Sequence, residues 1–216
     1  MNKAFIFDLD GVLVNSEPYW TACEEPFFQR VFGKQIAKKV GHVPGRGVVK
    51  VYEEALSYGA IIDKEIYLRG FEEVAMRVYD RAPLTSGVAE LVQRLLAHGF
   101  KLGLVTQSPQ SWIDRVLPRL PFKNELAAIV STREQSLEPK PSPEGFLVAF
   151  SELKADPRSS FILEDSNFGI TAGKAAGAFV IGFRGNLISG YEQIGADAYA
   201  DTMDDVEKLV EKFTQP

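Results

Sequence analysis

The sequence predicts an α/β fold: a doubly wound parallel sheet with helices on both faces, interrupted by an inserted block of helices. Three observations lead there. Short apolar runs ending in polar residues, at Ala4–Phe7, Leu102–Val105 and Phe161–Leu163, read as buried parallel strands. From Pro83 onward such runs alternate with amphipathic helical patterns, which means a sheet covered on both faces. Between the first strand and the helix at 88–97 the chain carries helical patterns of its own, far more than the roughly 2–6 residues of an ordinary strand-to-helix loop.

In order, Ala4–Phe7 is the first strand, and Asp8, Asp10 and Gly11 follow it at once. A strand ending in paired acids and a glycine turn delivers those acids to the carboxyl edge of the sheet, where open α/β folds bind ligands. Ser16 is placed to cap a helix with Trp20, Cys23, Phe27 and Val31 at helical spacing, and Pro26 inside it predicts a kink or break. Val48, Val51, Tyr52, Ala55 and Leu56 mark a second helix, and Tyr67, Phe71, Val74, Ala75 and Val78 a third. A glycine-rich loop, residues 41–47, lies between the first two. The core is therefore expected at residues 1–14 and 83–216, and a helical cap at 15–82. Because the insertion begins at the carboxyl end of the first strand, it sits over Asp8 and Asp10 as a lid would.

The second part continues with helix 88–97, strand Leu102–Val105, and a helix from Pro109 carrying Trp112, Ile113, Val116 and Leu117. Strand Ala127–Val130 follows, then a helix opened by Ser142-Pro143-Glu144. Strand Phe161–Leu163, a helix over 167–176, strand Phe179–Ile181 and a closing helix with Met203, Val206, Val210 and Phe213 inward complete the chain.

Composition narrows the function. The 216 residues, 45% of them apolar, can bury a sizeable core. A net charge of −5 without a long basic run argues against nucleic acid, and no apolar stretch is long enough to span a membrane. Cys23 is the single cysteine, so no intrachain disulfide framework exists, and it reads as an inert buried thiol. The N-terminus runs straight into a strand without a leader, so a cytoplasmic monomer is expected.

Three further segments bring matching chemistry to the same sheet edge. Thr106 and Ser108 follow one strand, Lys140 precedes a helix, and Glu164 and Asp165 end another strand. Phosphoryl transfer spreads charge over three oxygens, which must be surrounded by cations and donors. Asp8 and Asp165 are hard oxygen ligands suited to Mg²⁺. Lys140 and the Thr106 hydroxyl suit phosphoryl oxygens, and backbone N–H groups after Asp8 suit an anion nest. Asp8 is then placed as a covalent nucleophile, and Asp10 as the group that protonates the leaving oxygen and activates water.

Asp8-Leu-Asp-Gly-Val, Thr106, Lys140-Pro and Glu164-Asp-Ser resemble the four signature segments of the haloacid dehalogenase superfamily. The helical insertion resembles its β-phosphoglucomutase-like and phosphoglycolate phosphatase-like branch. The resemblance spans nearly the whole chain in the right order, and implies a Rossmann-like core with a helical cap. It makes Asp8 the nucleophile and Asp10 the acid/base. It gives Mg²⁺ the ligands Asp8, the Asp10 backbone carbonyl and Asp165, with Glu164 as ligand or support, and puts Thr106, Gln107 and Lys140 on the phosphoryl group. Asp10 marks phosphotransfer rather than dehalogenation. The mutases of this branch have histidine where Trp20 stands, which tilts the reading toward hydrolysis.

Each residue also has a plainer reading. An isolated Asp-x-Asp is usually a solvated turn, and Lys140 alone would be a surface lysine. Ser166 reads as a helix cap, and Gly169 and Gly173 as close helix packing rather than a phosphate loop. In the cap, Glu17 and Trp20 are candidates to shape a substrate pocket, with core packing the alternative for Trp20. Arg46 is a candidate to grip a substrate, or a solvated charge; His42 is a candidate too, or a polar loop residue. The leading expectation is a Mg²⁺-dependent phosphatase acting on a small phosphate ester, a sugar phosphate foremost, through an aspartyl-phosphate. A phosphomutase acting on β-glucose 1-phosphate is the nearest alternative. A phospho-acceptor signalling domain is the alternative of another class.

Overall fold

The computed structural model describes residues 2–42 and 46–214. Six parallel strands form one sheet in the order β3-β2-β1-β4-β5-β6. They are β1 (Ala4–Phe7), β2 (Lys101–Thr106), β3 (Leu126–Ser131), β4 (Phe161–Glu164), β5 (Phe179–Phe183) and β6 (Ala198–Ala200). β1 lies at the centre, with Phe7 beside Leu104 of β2 and Leu163 of β4. The next residue of each strand is therefore level: Asp8, Val105 and Glu164 reach the carboxyl edge together.

Alternation along β1 assigns its side chains to two cores. Ala4 and Ile6 face α7 (Glu144–Leu153) and α8 (Asn167–Ala175), packing with Phe146, Phe150 and Ile170. Phe5 and Phe7 face α5 (Val88–Ala97) and α9 (Met203–Thr214), with Leu91, Leu95, Val206 and Val210. Each large apolar side chain buried there contributes about 1.5–3 kcal/mol.

Four helices lie between β1 and α5: α1 (Glu17–Phe32), α2 (Lys34–Val40), α3 (Val48–Ser57) and α4 (Lys64–Arg81). They are bound by aromatic contacts among Trp20, Phe27, Phe28, Phe32, Tyr67 and Phe71, with ring centroids 5.5–6.4 Å apart. The block is tied to α6 (Gln110–Val116): Glu72 accepts from Ser111 and from the Trp112 indole, and Asp80 pairs with Arg115.

Several expectations are corrected. Pro26 does not break α1, which runs unbroken through it because the flanking aromatics anchor both halves in one core. Ser16 precedes α1 but makes no cap hydrogen bond; its hydroxyl donates to Asp10 instead. Cys23 is half-buried, since the inward stripe of α1 runs through Trp20, Glu24, Phe27 and Phe28. Phe213 is half-exposed, stacking on Phe179 at the last turn of α9. Ser166 does cap α8, accepting from the Gly169 amide at 3.0 Å. Val43, Pro44 and Gly45 of the glycine-rich loop lie outside the described residues.

Candidate active site

A cavity of about 780 Å³ opens over the carboxyl edge of the sheet. It is lined from the core by Asp8, Thr106, Gln107, Lys140 and Asp165, and from the helical block by Glu17, Trp20, His42 and Arg46. Asp10 lines it where the two meet. All the candidate site residues face this cavity except Glu164, which is wholly buried beneath it.

Lys140 is the hub of the core side. Its Nζ donates to Asp8 Oδ1 at 2.5 Å, to Glu164 Oε1 at 2.5 Å and to the Val105 carbonyl at 3.1 Å. Glu164 Oε2 accepts from the amide and hydroxyl of Ser166, both at 3.1 Å, so each of its oxygens is held. Gly169 lets α8 close over this carboxyl, for a Cβ there would stand 1.9 Å from Glu164. The packing role read for Gly169 is thus met. Burial pushes the Asp8 carboxyl up to about 8 despite the ammonium beside it. Lys140 is burdened by burial too, but its two carboxylates hold its pKa above the usual lysine range.

Asp165 differs from its neighbours. Burial, and then the negative charges of Glu17, Glu164, Asp8 and Asp10, raise its pKa well above the carboxylate range. Its Oδ2 is buried and has no hydrogen-bond partner among the described residues. Carboxylate oxygens of Asp8, Glu164 and Asp165 lie within 4.8 Å of one another. An orphaned buried oxygen beside two other hard donors is what a small divalent cation would complete, so the residues present fit Mg²⁺.

Asp10 turns toward the helical block. Oδ1 accepts from Ser16 at 2.7 Å, from the Trp20 indole at 3.2 Å and from Tyr79 at 2.8 Å. Oδ2 accepts from Tyr79 at 2.8 Å and from Ser108 at 2.9 Å. Thr106 Oγ1 accepts from the Ser108 amide at 3.0 Å, which leaves its own proton to donate. Trp20 packs in the core as its plainer reading had it, stacking on Phe71 with ring centroids 5.5 Å apart, and its indole also donates to Asp10, a contact the sequence did not suggest.

In the block, Arg46 is not a solvated charge. It pairs with Glu54 at 2.8 Å and donates to the Gly41 carbonyl. His42 is no plain loop residue either, being bound on both ring nitrogens by Glu17 and Glu24.

Several site residues escaped sequence reasoning. Tyr79 grips Asp10 from α4, and its only local signal is the i, i+4 spacing from Ala75. Asn186 donates to the Gly11 carbonyl, fixing the loop after β1, and Gln193 donates to the Asp165 carbonyl at 2.6 Å. Neither lies in any motif. Glu24 was hidden among apolar positions of α1.

Comparison with known proteins identifies the family. Residues 5–183 match the family model of the haloacid dehalogenase-like hydrolases. The chain belongs to that family. It is 28% identical over 198 residues to validoxylamine A 7′-phosphate phosphatase of Streptomyces hygroscopicus subsp. limoneus, covering 84% of this chain and 85% of that one. It is 29% identical over 178 residues to hexitol phosphatase B of Escherichia coli K12, covering 80% and 79%. The crystal structure of a conserved haloacid dehalogenase-like protein from Agrobacterium tumefaciens str. C58 superposes with a TM-score of 0.79 over 100% of both chains, at 22% identity, a likeness of fold. The expected phosphatase of this family stands. Among the described residues no helix is long and apolar enough to cross a membrane.

Proposed function

We propose that the protein is a Mg²⁺-dependent phosphatase of small phosphorylated sugars and polyols, working through an aspartyl-phosphate on Asp8. The observation that carries this reading is the unpartnered, buried Asp165 Oδ2 beside an Asp8 that Lys140 holds by one oxygen only. Asp8 and Asp165, with the Asp10 carbonyl, would hold the ion, and Glu164, occupied by Lys140 and Ser166, would support them from behind. When bound, the ion supplies positive charge to the phosphoryl oxygens.

The chain's own groups then divide the work. Lys140 fixes Asp8 through Oδ1 and leaves Oδ2 to attack phosphorus. Thr106, and Gln107 beside it, face the phosphoryl oxygens from the end of β2. As the bond from phosphorus to the alcohol oxygen breaks, the Asp10 carboxyl gives that oxygen its proton. Water then attacks the aspartyl-phosphate, giving its proton to the Asp10 carboxylate; the Asp8–phosphorus bond breaks and phosphate leaves. The hydroxyls of Ser16, Ser108 and Tyr79 can rotate from donor to acceptor, so they accommodate Asp10 in either state. Residues 15–82 would act as the lid that excludes bulk water during attack.

A mutase would return the phosphoryl group to the same sugar. Trp20 donates to Asp10 and can neither accept nor relay a proton at neutral pH, which favours hydrolysis. The inserted helices and the presence of Asp10 argue against a phospho-acceptor signalling domain. The test is a panel of hexose and hexitol phosphates, β-glucose 1-phosphate, phosphoglycolate and nucleotides, with Mg²⁺ and with chelator. Free phosphate released from sugar or polyol phosphates, and lost with chelator, is expected. Isomeric phosphate without free phosphate would replace the reading by a mutase, and a stable phosphoprotein without turnover by a signalling domain.

A further inference from the structure

The helical side of the cavity holds a charge cluster that the phosphoryl chemistry does not use. Glu17 and Glu24 lie two turns apart on α1, and both meet His42, which follows α2. His42 Nε2 is 2.8 Å from Glu17 Oε2, and Nδ1 is 2.5 Å from Glu24 Oε2. The side chains of Glu17, Glu24 and His42 are only 4%, 10% and 13% exposed. An imidazole with a carboxylate on each ring nitrogen satisfies both only by donating twice, as the imidazolium. Burial opposes that charge, but the two carboxylates prevail and lift the pKa to about 9.

Glu17 is thereby fixed through one oxygen. Its Oε1 has no hydrogen-bond partner among the described residues, and the residue lines the same cavity as Asp8 and Asp165. Trp20, Phe71 and Trp112 line that cavity too, packed on one another with ring centroids 5.2–6.1 Å apart, and give it an apolar wall beside Glu17. The cavity is larger than a phosphoryl group needs, and its volume is that of a site for a whole small molecule.

We propose that Glu17 Oε1, positioned by His42, accepts a hydrogen bond from a hydroxyl on the alcohol part of the substrate, and so selects polyhydroxylated phosphate esters. The inference rests on the phosphatase reading. The free oxygen calls for a single donor, which is what each hydroxyl of a sugar or polyol supplies. A nearly buried acceptor built to meet a hydroxyl penalises the analogue that lacks it, since the acceptor is then left unpaired. His42 touches no reacting atom; it is a positioning residue acting through Glu17, with Glu24 as its counterweight.

The experiment compares kcat and KM for a hexitol 6-phosphate, its mono-deoxy analogues and the matching amino analogues. Wild type is expected to prefer the parent over at least one deoxy analogue by about tenfold or more in kcat/KM. Glu17→Leu should bring that ratio close to one by impairing the parent, and His42→Gln should lower it in the same direction. If Glu17→Leu does not fold, the His42→Gln ratio decides. A ratio that survives in the folded variants, parent and deoxy esters falling by one common factor, or a preference for the amino analogue would each overturn the inference. So would a wild-type ratio near one for every analogue while phosphate is still released, and the phosphatase reading would then stand. A wild type inactive on every ester would overturn both.

Discussion

A methyl group on Gly11 would stand 1.9 Å from Asp165 Oδ2, and the residue's φ of +70° is one that side chains disfavour. Only glycine lets the loop after β1 pass this close to the second carboxylate. Gly11→Ala should therefore do two things at once. Left-handed backbone strain costs about 1–2 kcal/mol before any clash, which in a chain of this size lowers Tm by at least about 2–4 °C. The displaced Asp165 carboxyl should also raise the Mg²⁺ concentration needed for half-maximal activity by about tenfold, the scale of losing well-placed support at a metal site. Thermal melts and a Mg²⁺ titration check both; an unchanged Tm with an unchanged titration would contradict the packing argument. At this scale the sequence was informative where a residue's neighbours in the chain announce it. Asp8 and Asp165 end apolar strands, and Lys140 stands before a proline-marked helix start. Tyr79, Asn186 and Gln193 were not legible, because each acts through a hydrogen bond to a distant segment that leaves no local pattern.

Among the elements, α1 shows how a helix can serve core and site together. Its inward stripe carries Phe27, Phe28 and Phe32 into the aromatic core and, on the same face, Glu17 and Glu24 onto His42. That arrangement links stability to pH. The pKa of His42 is about 9 in the folded protein against 6.5 as its ordinary value. A group raised on folding contributes its stability fully below the unfolded pKa and loses it as pH climbs through the folded one. Glu17 and Glu24 are the carboxylates facing it, with Tyr67 near Glu24 and Arg46 near Tyr67. The Tm gap between wild type and His42→Gln should be widest near about pH 6 and narrow by about pH 9.5; a gap constant or growing with pH would contradict the clamp. The elements missed in the sequence have physical reasons. α2 is short and buries only Ala37 and Val40, too few positions to show a period. β6 has three residues, Ala198–Ala200, with little apolar signal. Ser16 looked like a cap because serine commonly is one, but its backbone is already helical (φ −90°, ψ −25°) rather than extended as a capping residue's is, and its hydroxyl is turned to Asp10.

For the whole molecule, the layout follows from where polar residues interrupt apolar runs. Parallel strands in register bring Asp8, Thr106 and the Glu164-Asp165 pair to one edge, the loop before α7 adds Lys140, and the helices inserted after β1 roof the cavity between them. The alternating pattern of strands and helices, together with the long insertion, made this architecture readable; how the roof's charged residues pair was not, since Glu17, Glu24 and His42 meet only once α1 and the loop after α2 have packed. The central claim is that this convergence makes Asp8 a nucleophile. The direct measurement is to mix wild type and Asp8→Ala with a turned-over phosphate ester and Mg²⁺, quench in acid, and follow both phosphate release and protein-bound phosphate. Wild type should form a base-labile phosphoprotein, and Asp8→Ala should show neither that species nor turnover, a loss of at least about 10⁴-fold in keeping with removal of a covalent nucleophile. An Asp8→Ala protein that keeps its fold and turns over within about tenfold of wild type would contradict the account.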